Sequence, residues 1–301
     1  MKEHKTQADV ICVGQMVVDC ITRNRRITSS RKNVYTADGI TLSPGGDALN
    51  EATNLTRLGH RVKLVGVVGP DAAGSLLLSV IRNNKMTTEG ISVDNSVVTP
   101  VANLLVYEQG ERESINSPAT MLGSYEANPS VLKGTGAKIL SLASLFRAPL
   151  DRPEPVIRLI RQAKKEGMTV CADTKLPTFR NMNISDLEEV LPLIDYIFPN
   201  ENEAEYLTGE RDYQRMTAAL RDRGIRNVII KAGPNGCFVR EESGKYYQVP
   251  ALSVKAVDST GAGDSFVSGF ISGLLKNRTL EECCHIGTEL AAACVQQQGA
   301  T

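Results

Sequence analysis

From residue 138 onward the chain alternates short apolar, β-branched runs with longer amphipathic stretches. No other feature constrains the fold as much. Lys138-Ile-Leu-Ser-Leu142, Thr169-Val-Cys-Ala-Asp173, Tyr196-Ile-Phe198 and Asn227-Val-Ile-Ile-Lys231 read as buried strands. Runs this short and this uniformly apolar suit strands covered on both faces. Between them, Pro153 to Glu166 puts Val156, Ile157, Leu159, Ile160 and Ala163 on one helical face, Leu187–Leu191 reads as a short helix, and Asn200-Glu201-Asn202-Glu203 opens another. After the tight turn Gly233-Pro234-Asn235-Gly236, the segments Cys237–Val239 and Tyr246–Val249 read as paired strands, and Glu281 to Val295 as a closing helix. Strand–helix alternation of this kind gives an α/β fold, doubly wound, with a mostly parallel sheet and helices on both faces.

The N-terminal half fits the same sheet with an insertion. Asp9 to Val13, ending at Gly14, is a first buried strand; Val62 to Val68 is another, followed by the turn Gly69–Gly74 and a helix Ser75–Asn83. Residues 21–44 suit neither a core strand nor an amphipathic helix. Val97 to Tyr107 and Glu111 to Ser117 read as a hairpin across Glu108-Gln109-Gly110. These pieces are expected to form a small β lid, residues 18–44 and 98–118, inserted in a single domain spanning 1–301.

Polar residues then collect just past strand ends: Asp19, Asp173, Asn200, Glu203, Lys231 and Asp264. That is the ligand-binding edge of an open α/β sheet. Two glycine-rich stretches lie there. In Ser43-Pro-Gly45-Gly46-Asp47-Ala-Leu-Asn50, the glycines allow close backbone approach, and Asp47 and Asn50 share the first turns of the next helix. They are expected as exposed side chains that read ligand hydroxyls, or Asp47 as a cap. In Asp258-Ser-Thr-Gly261-Ala262-Gly263-Asp264-Ser-Phe266, a glycine turn leads into a buried helix starting at about Gly263. A helix N-terminus there suits an anion, and a carboxylate beside a bound phosphoryl group suits phosphoryl transfer. Taken alone, the same stretch reads as a tight turn with a capping aspartate.

Composition removes several alternatives. Lys+Arg and Asp+Glu are equal at 34 each, so nothing pulls the whole chain toward nucleic acid or an anionic membrane. No apolar run is long enough to span a bilayer, and Met1-Lys-Glu-His-Lys5 is not a signal peptide, so a cytoplasmic protein is expected. The seven cysteines are odd in number, lack a C-x-x-C and read as reduced core thiols; the three histidines lie far apart, against a zinc site. There is no P-loop, no G-x-G-x-x-G after the first strand and no G-x-S-x-G. A phosphoryl-transfer enzyme built on this chain therefore needs a different phosphate cradle, and residues 258–264 offer one.

In this order the motifs resemble the PfkB carbohydrate kinases, the ribokinase-like fold. Gly45-Gly46-x-x-x-Asn50 with Ala52, Leu55, Leu58 and Gly59, then Gly66-x-Val68-Gly69-x-Asp71-x-x-Gly74, Asn200-x-x-Glu203 and Asp258 to Phe266, match over nearly the whole chain. The resemblance implies ATP-dependent phosphorylation of a sugar hydroxyl. Asp264 is then the base, and Gly261, Ala262 and Gly263 the anion hole. Asp19, Gly45, Gly46, Asp47 and Asn50 hold the sugar; Asn200, Lys231, Gly233, Gly236 and Thr260 lie along ATP. Asn200 and Glu203 hold Mg²⁺ through water. Asp258 and Thr260, with backbone oxygens around Cys294, Gln297 and Gly299, match a monovalent cation site, K⁺. A homodimer through the lid is implied as well. The chain departs from ribokinase-type enzymes at Asp47 (lysine there), at Val17 (asparagine), and at Asp173-Thr-Lys175-Leu-Pro177, where Lys175 stands in for a phosphate-contacting arginine. Family members usually continue past the final Gly-Ala pair with a further helix, whereas this chain stops at Thr301, so a tail is missing or the adenine side is built differently. The alternatives are a nucleoside kinase of the same fold, with Tyr35 and Tyr107 as lid aromatics, and an inactive sugar-binding regulator.

Overall fold

The computed structural model describes residues 7–24, 28–31, 34–107, 112–116, 125–297 and 299. The chain opens with the fully buried strand β1 (Val10–Val13), then β2 (Val17–Asn24), β3 (Thr28–Arg31), β4 (Val34–Thr36) and β5 (Gly39–Gly45). Helix α1 (Asp47–Arg57) leads to β6 (Val62–Val68), α2 (Ala72–Asn83), β7 (Ile91–Val93), β8 (Val101–Tyr107) and β9 (Arg112–Asn116). The regular half follows: β10 (Ile139–Leu145), α3 (Pro153–Lys165), β11 (Thr169–Thr174), β12 (Tyr196–Phe198), α4 (Glu201–Thr208) and α5 (Tyr213–Asp222). Then come β13 (Asn227–Lys231), β14 (Cys237–Arg240), β15 (Tyr246–Val249), α6 (Ala262–Leu275) and α7 (Leu280–Val295).

Nine strands form the main sheet in the order β15-β14-β13-β12-β11-β10-β1-β6-β7. Every pairing is parallel except β13 with β14 and β14 with β15. Alternation along the strands divides the core. Ile11, Val13, Leu140 and Leu142 face a cluster containing Val156, Leu159 and Ile160 of α3. Val10, Cys12, Ile139 and Ala143 face the other way, against Leu49, Leu55, Phe266 and Phe270 of α1 and α6. Helices α6 and α7 touch backbone to backbone: a Cβ on Gly269 would lie 2.6 Å from the Ile286 carbonyl oxygen. A second sheet, β5-β2-β8-β9, carries the residues set apart in the sequence as an insertion, and β3 pairs with β4 as a separate ribbon.

The structure differs from the sequence expectations in several places. Helix α2 begins at Ala72, not Ser75, because the Asp71 carboxylate accepts the Gly74 N–H at 2.7 Å and caps it. Residues 97–100 precede β8 instead of belonging to it, since Pro100 has no N–H to give a ladder. The short helix expected at Leu187–Leu191 is two 3₁₀ turns, Ile184–Leu187 and Leu191–Leu193, the second with Pro192 in its first turn. Helix α5 carries no sequence expectation; only Met216, Thr217 and Leu220 are buried on an otherwise polar helix. The turn expected at residues 108–110 lies outside the described residues, although β8 and β9 pair antiparallel on either side of it.

Candidate active site

A cavity of about 1180 Å³ opens at the carboxyl edge of the main sheet, between that edge and the second sheet. It is lined by Asp19, Gly46, Asp47, Asn50, Asn200, Lys231, Gly233, Gly236, Thr260, Gly261, Ala262, Gly263 and Asp264. Most of the residues picked out in the sequence therefore meet in one place. Gly45, Glu203, Asp258, Cys294, Gln297 and Gly299 do not line it.

The floor is made where α1 meets α6. Gly46 has φ 94°, and a Cβ there would lie 2.5 Å from the Gln15 carbonyl oxygen. A Cβ on Gly45 would fall 2.3 Å from Asp19 Oδ2. The two glycines thus let the chain press against residues 15–19 before α1 begins. Asp19 lies within β2 instead of a turn after β1, and faces the cavity from the second sheet. Asn50, expected as exposed, is 5% exposed. Its Nδ2 donates to Asp264 Oδ2 at 2.7 Å. One turn on, Asn54 Nδ2 donates to Ser265 Oγ at 3.1 Å.

Asp264 is 3% exposed. Burial raises its pKa to about 7; the neighbouring charges of Asp47 and Asp173 add to this, while Lys175 and the Asn50 bond oppose it. Burial also works against ionising Asp47, but Lys175 Nζ at 3.3 Å and the Ser144 hydroxyl at 2.7 Å outweigh it, and the Asp47 pKa lies below the ordinary value. Asp47 therefore has Lys175 as its counter-ion and does not cap α1, which has no side-chain cap. The Lys175 ammonium is held well above its ordinary pKa by Asp47, against burial, with help from Asp264, Asp173 and Glu203. Asp19 is pushed up to about 6 by burial and by the Asp47 charge. Beneath these, Glu51 is completely buried, with Oε2 2.5 Å from the Ser141 hydroxyl and Oε1 without a partner. Burial and the charges of Asp173, Asp264 and Asp47 hold it well above the ordinary carboxylate range.

The turn before α6 is an aspartate-locked loop. Asp258 Oδ1 accepts the Thr260 N–H at 2.9 Å and its hydroxyl at 2.6 Å. Gly261 has φ 74° and precedes a helix that no side chain caps. The first N–H groups of such a helix lack intrahelical partners. The Ala262 N–H is taken by the Ser259 carbonyl at 3.3 Å, which leaves Gly263 and Asp264 to present theirs. Lys231 is ion-paired to Asp173, and its Nζ lies 3.3 Å from where a Gly263 Cβ would stand. A positive charge thus sits beside the N-terminus of α6.

Asn200 and Glu203 form a reciprocal capping box at the start of α4. The Glu203 carboxylate accepts the Asn200 N–H at 2.9 Å, Asn200 Nδ2 at 2.8 Å and the Thr174 hydroxyl at 2.9 Å. It is buried behind Asn200, so only Asn200 reaches the cavity. The residues expected around a monovalent cation lie close to one another. The Cys294 thiol meets the Thr260 carbonyl at 3.3 Å, the Gln297 N–H donates to the Cys294 carbonyl at 3.1 Å, and the Gly299 N–H donates to Asp258 Oδ2 at 3.2 Å. Of the suggested lid aromatics, Tyr107 turns its hydroxyl to Glu113 at 3.0 Å and does not line the cavity; the Tyr35 side chain lies outside what is described.

One cavity wall without a sequence expectation is made by Ala251 to Val254 and Ala256 with Thr288, Ala291, Ala292 and Val295 of α7. Its signal was the apolar Leu252 and Val254 in a segment with no secondary structure, both left exposed. Arg147 and Phe179, in the loops after β10 and β11, also line the cavity and carry no sequence expectation.

Comparison with known proteins identifies the family. The model of the pfkB family carbohydrate kinases matches residues 7–301. A ribokinase of Haemophilus influenzae is 29% identical over 271 residues, covering 88% of this chain and 85% of its own. A cytidine kinase of Thermococcus kodakarensis is 26% identical, covering 97% of both. The structure of Arabidopsis thaliana ribokinase complexed with ribose and ATP superposes with a TM-score of 0.82 at 24% identity, over 98% of this chain and 95% of its own. With the family matched from residue 7 to residue 301, the chain belongs to the pfkB family of carbohydrate kinases and is a phosphotransferase with an alcohol group as acceptor.

Proposed function

We propose that the protein transfers the γ-phosphate of ATP to a hydroxyl of a small carbohydrate, with Asp264 as the base. One observation carries this reading. The two most distinctive motifs, 214 residues apart, meet in the hydrogen bond from Asn50 to a buried Asp264. A carboxyl whose pKa lies near 7 is suited to take a proton at neutral pH. Asn50 fixes one Asp264 oxygen, and in this reading the carboxyl it orients meets the acceptor hydroxyl. Asp19, Gly45, Gly46, Asp47 and Asn50 form the acceptor end, Gly45 by allowing Asp19 its place. The Gly261–Gly263 turn cradles the transferring phosphoryl group through the N–H groups of Gly263 and Asp264, the Ala262 N–H being held by Ser259, with Lys231 adding charge. Typically about 10²–10³ in rate is lost with one such donor. Asn200, Gly233, Gly236 and Thr260 line the nucleotide end.

The residues present fit Mg²⁺ held through water. Among the described residues no three acidic, His or Cys side chains form a cage, yet Asp173 Oδ2 is a buried carboxylate oxygen without a partner and Asn200 faces the cavity. An ion that keeps its waters and arrives with the phosphates suits that donor set, with Asn200 in reach and Glu203 bracing it from behind. When bound, it neutralises phosphate charge. Asp258 and Thr260, with Cys294, Gln297 and Gly299, form the K⁺ group of this reading; activity in K⁺ against Na⁺ or Cs⁺ tests it.

The second sheet acts as a lid over the acceptor within a single 1–301 domain. Asp19, Leu104, Ser114 and Asn116 face the cavity, while Ile40, Leu42 and Ile115 on the opposite face are each at least 60% exposed. That apolar face supports a homodimer through the lid, which sedimentation of the protein tests. No helix of the described residues is long and apolar enough to cross a membrane, and the cytoplasm is the proposed location. A nucleoside acceptor is the second reading. Phe179 lines the cavity at 42% exposure, where a base can stack, and one relative is a cytidine kinase. Mg·ATP-dependent ADP release, measured over aldoses, ketoses and nucleosides, separates the two; no release with any acceptor refutes both.

A further inference from the structure

Strand β10 ends at Leu145, and the next residue, Phe146, is buried with a left-handed backbone, φ 77°. A bulky side chain rarely adopts that conformation, and such strain gathers where a structure aims a functional group. The turn is tied on both sides. The Phe146 N–H donates to the Leu150 carbonyl at 3.0 Å, the Leu150 N–H to the Arg147 carbonyl at 2.6 Å, and the Arg147 N–H to the Ser144 carbonyl at 2.9 Å. The result is an arginine standing at the carboxyl edge of a central strand and lining the cavity.

The Arg147 side chain is itself pinned. Its Nε donates to the Leu176 carbonyl at 2.9 Å, and in return the Lys175 N–H donates to the Leu145 carbonyl at 2.9 Å. The loops after β10 and β11 are thereby stitched together. Neither Nη group of Arg147 has a hydrogen-bond or ion-pair partner among the described residues. Lys175, by contrast, is matched by Asp47. Arg147 is therefore not needed to balance a carboxylate of the protein.

Sheet order fixes which end of the cavity it serves. The nucleotide end lies at β12 and β13; the acceptor end lies at β1 and β10, under α1. Arg147 follows β10 and so belongs to the acceptor end. The second sheet faces that end with Asp19 and the neutral side chains Ser114 and Asn116. A guanidinium with a fixed Nε and two spare Nη groups is a fork shaped for a carboxylate or phosphate.

We propose that Arg147 is a specificity residue that grips an anionic group on the acceptor, so that the acceptor is a carbohydrate bearing a carboxylate or a phosphate. This rests on the kinase reading above. The test is ADP release with Mg·ATP over three sets of acceptors: neutral sugars, sugar acids and sugar phosphates, using wild type, Arg147→Ala and Arg147→Lys. Wild type is expected to show its highest kcat/KM with an anionic acceptor; whether the acid or the phosphate wins identifies the group. Arg147→Ala should raise KM for that acceptor about 10- to 100-fold, the usual worth of a hydrogen bond to a charged group, with kcat held within about threefold. Arg147→Lys should recover part of the loss, since it restores the charge without the fork. ATP binding by calorimetry should be equal in all three proteins, which shows that the variants fold. If neutral sugars are the best acceptors and Arg147→Ala leaves their KM unchanged, the anionic acceptor is refuted while the kinase reading stands. If no acceptor releases ADP, the kinase reading falls; calorimetry with a sugar acid and a sugar phosphate then decides on Arg147, and equal binding by wild type and Arg147→Ala overturns its role.

Discussion

Asp264→Asn separates catalysis from stability in opposite directions. The substitution is isosteric, and its amide oxygen can still accept from Asn50 Nδ2, which now reaches Asp264 at 2.7 Å. Only the ionisable proton site is lost. Removing a general base costs about 10²–10⁴ in kcat. Stability moves the other way. The folded pKa is about 7, raised chiefly by burial, against an ordinary aspartate value of 3.8. The folded state therefore holds its proton across a window in which the unfolded chain has lost it. The stabilisation from that proton is complete below the lower value and disappears as pH rises through the higher one. Between pH 5 and pH 8 wild type should lose about 2–3 kcal/mol that the variant keeps, from one unit of pKa being worth about 1.36 kcal/mol. Urea denaturation of both proteins at pH 5, 6, 7 and 8 measures this, beside ADP release on the best acceptor. An advantage for Asp264→Asn that is flat with pH, or largest at pH 5, refutes the buried-charge argument. Retention of more than about a tenth of wild-type kcat refutes the base, given the loss expected above. In wild type, kcat/KM should rise with pH through about 7.

Asn50→Ala should move that acid limb to higher pH, because the Asn50 bond favours the ionised carboxylate, and should lower kcat/KM at least about tenfold. Gly46→Ala should unfold the site: φ 94° and a Cβ 2.5 Å from the Gln15 carbonyl oxygen leave no room, and a loss of about 2 kcal/mol or more by denaturation is expected. Glu51→Gln should stay within about 1 kcal/mol of wild type with its pH profile unmoved, because burial and the neighbouring carboxylates favour the uncharged form of Glu51, whereas Glu51→Ala opens a polar cavity and should cost about 2–4 kcal/mol. A downward shift of the acid limb in Glu51→Gln would show instead that Glu51 is ionised beside Asp264.

Much of the site is legible in the sequence because its chemistry is local. Gly261 to Asp264 and Gly45 to Asn50 are turns into helices, and both the turn and the helix start are written within a few residues. The main-sheet strands are legible for a similar reason, since burial on both faces forces continuous apolar runs. What stays hidden depends on the fold bringing distant residues together. Glu203 looks like a ligand beside Asn200, yet two of its three bonds are the local capping box with Asn200, and the third, from Thr174, appears only when β11 and α4 are adjacent. Asp47 looks like a cap or a sugar ligand, and only the loop after β11 supplies its Lys175. Helix α5 escapes because three buried side chains in ten residues make too weak a stripe.

The bond between Asn50 and Asp264 also has a consequence for how the protein is made. Its partners are 214 residues apart, so the ribosome completes the Gly45–Asn50 stretch well before it adds Asp264. At about 5–20 residues per second that interval is on the order of ten seconds or more. Throughout it, the buried face of α1 has no α6 to cover it, and Asn50 has no acceptor at Asp264. A nascent chain can therefore possess the glycine turn and every lid strand and still be unable to turn over. Activity should arrive as a single late event during synthesis, and fragments ending before residue 264 should be both inactive and prone to hold on to chaperones through α1.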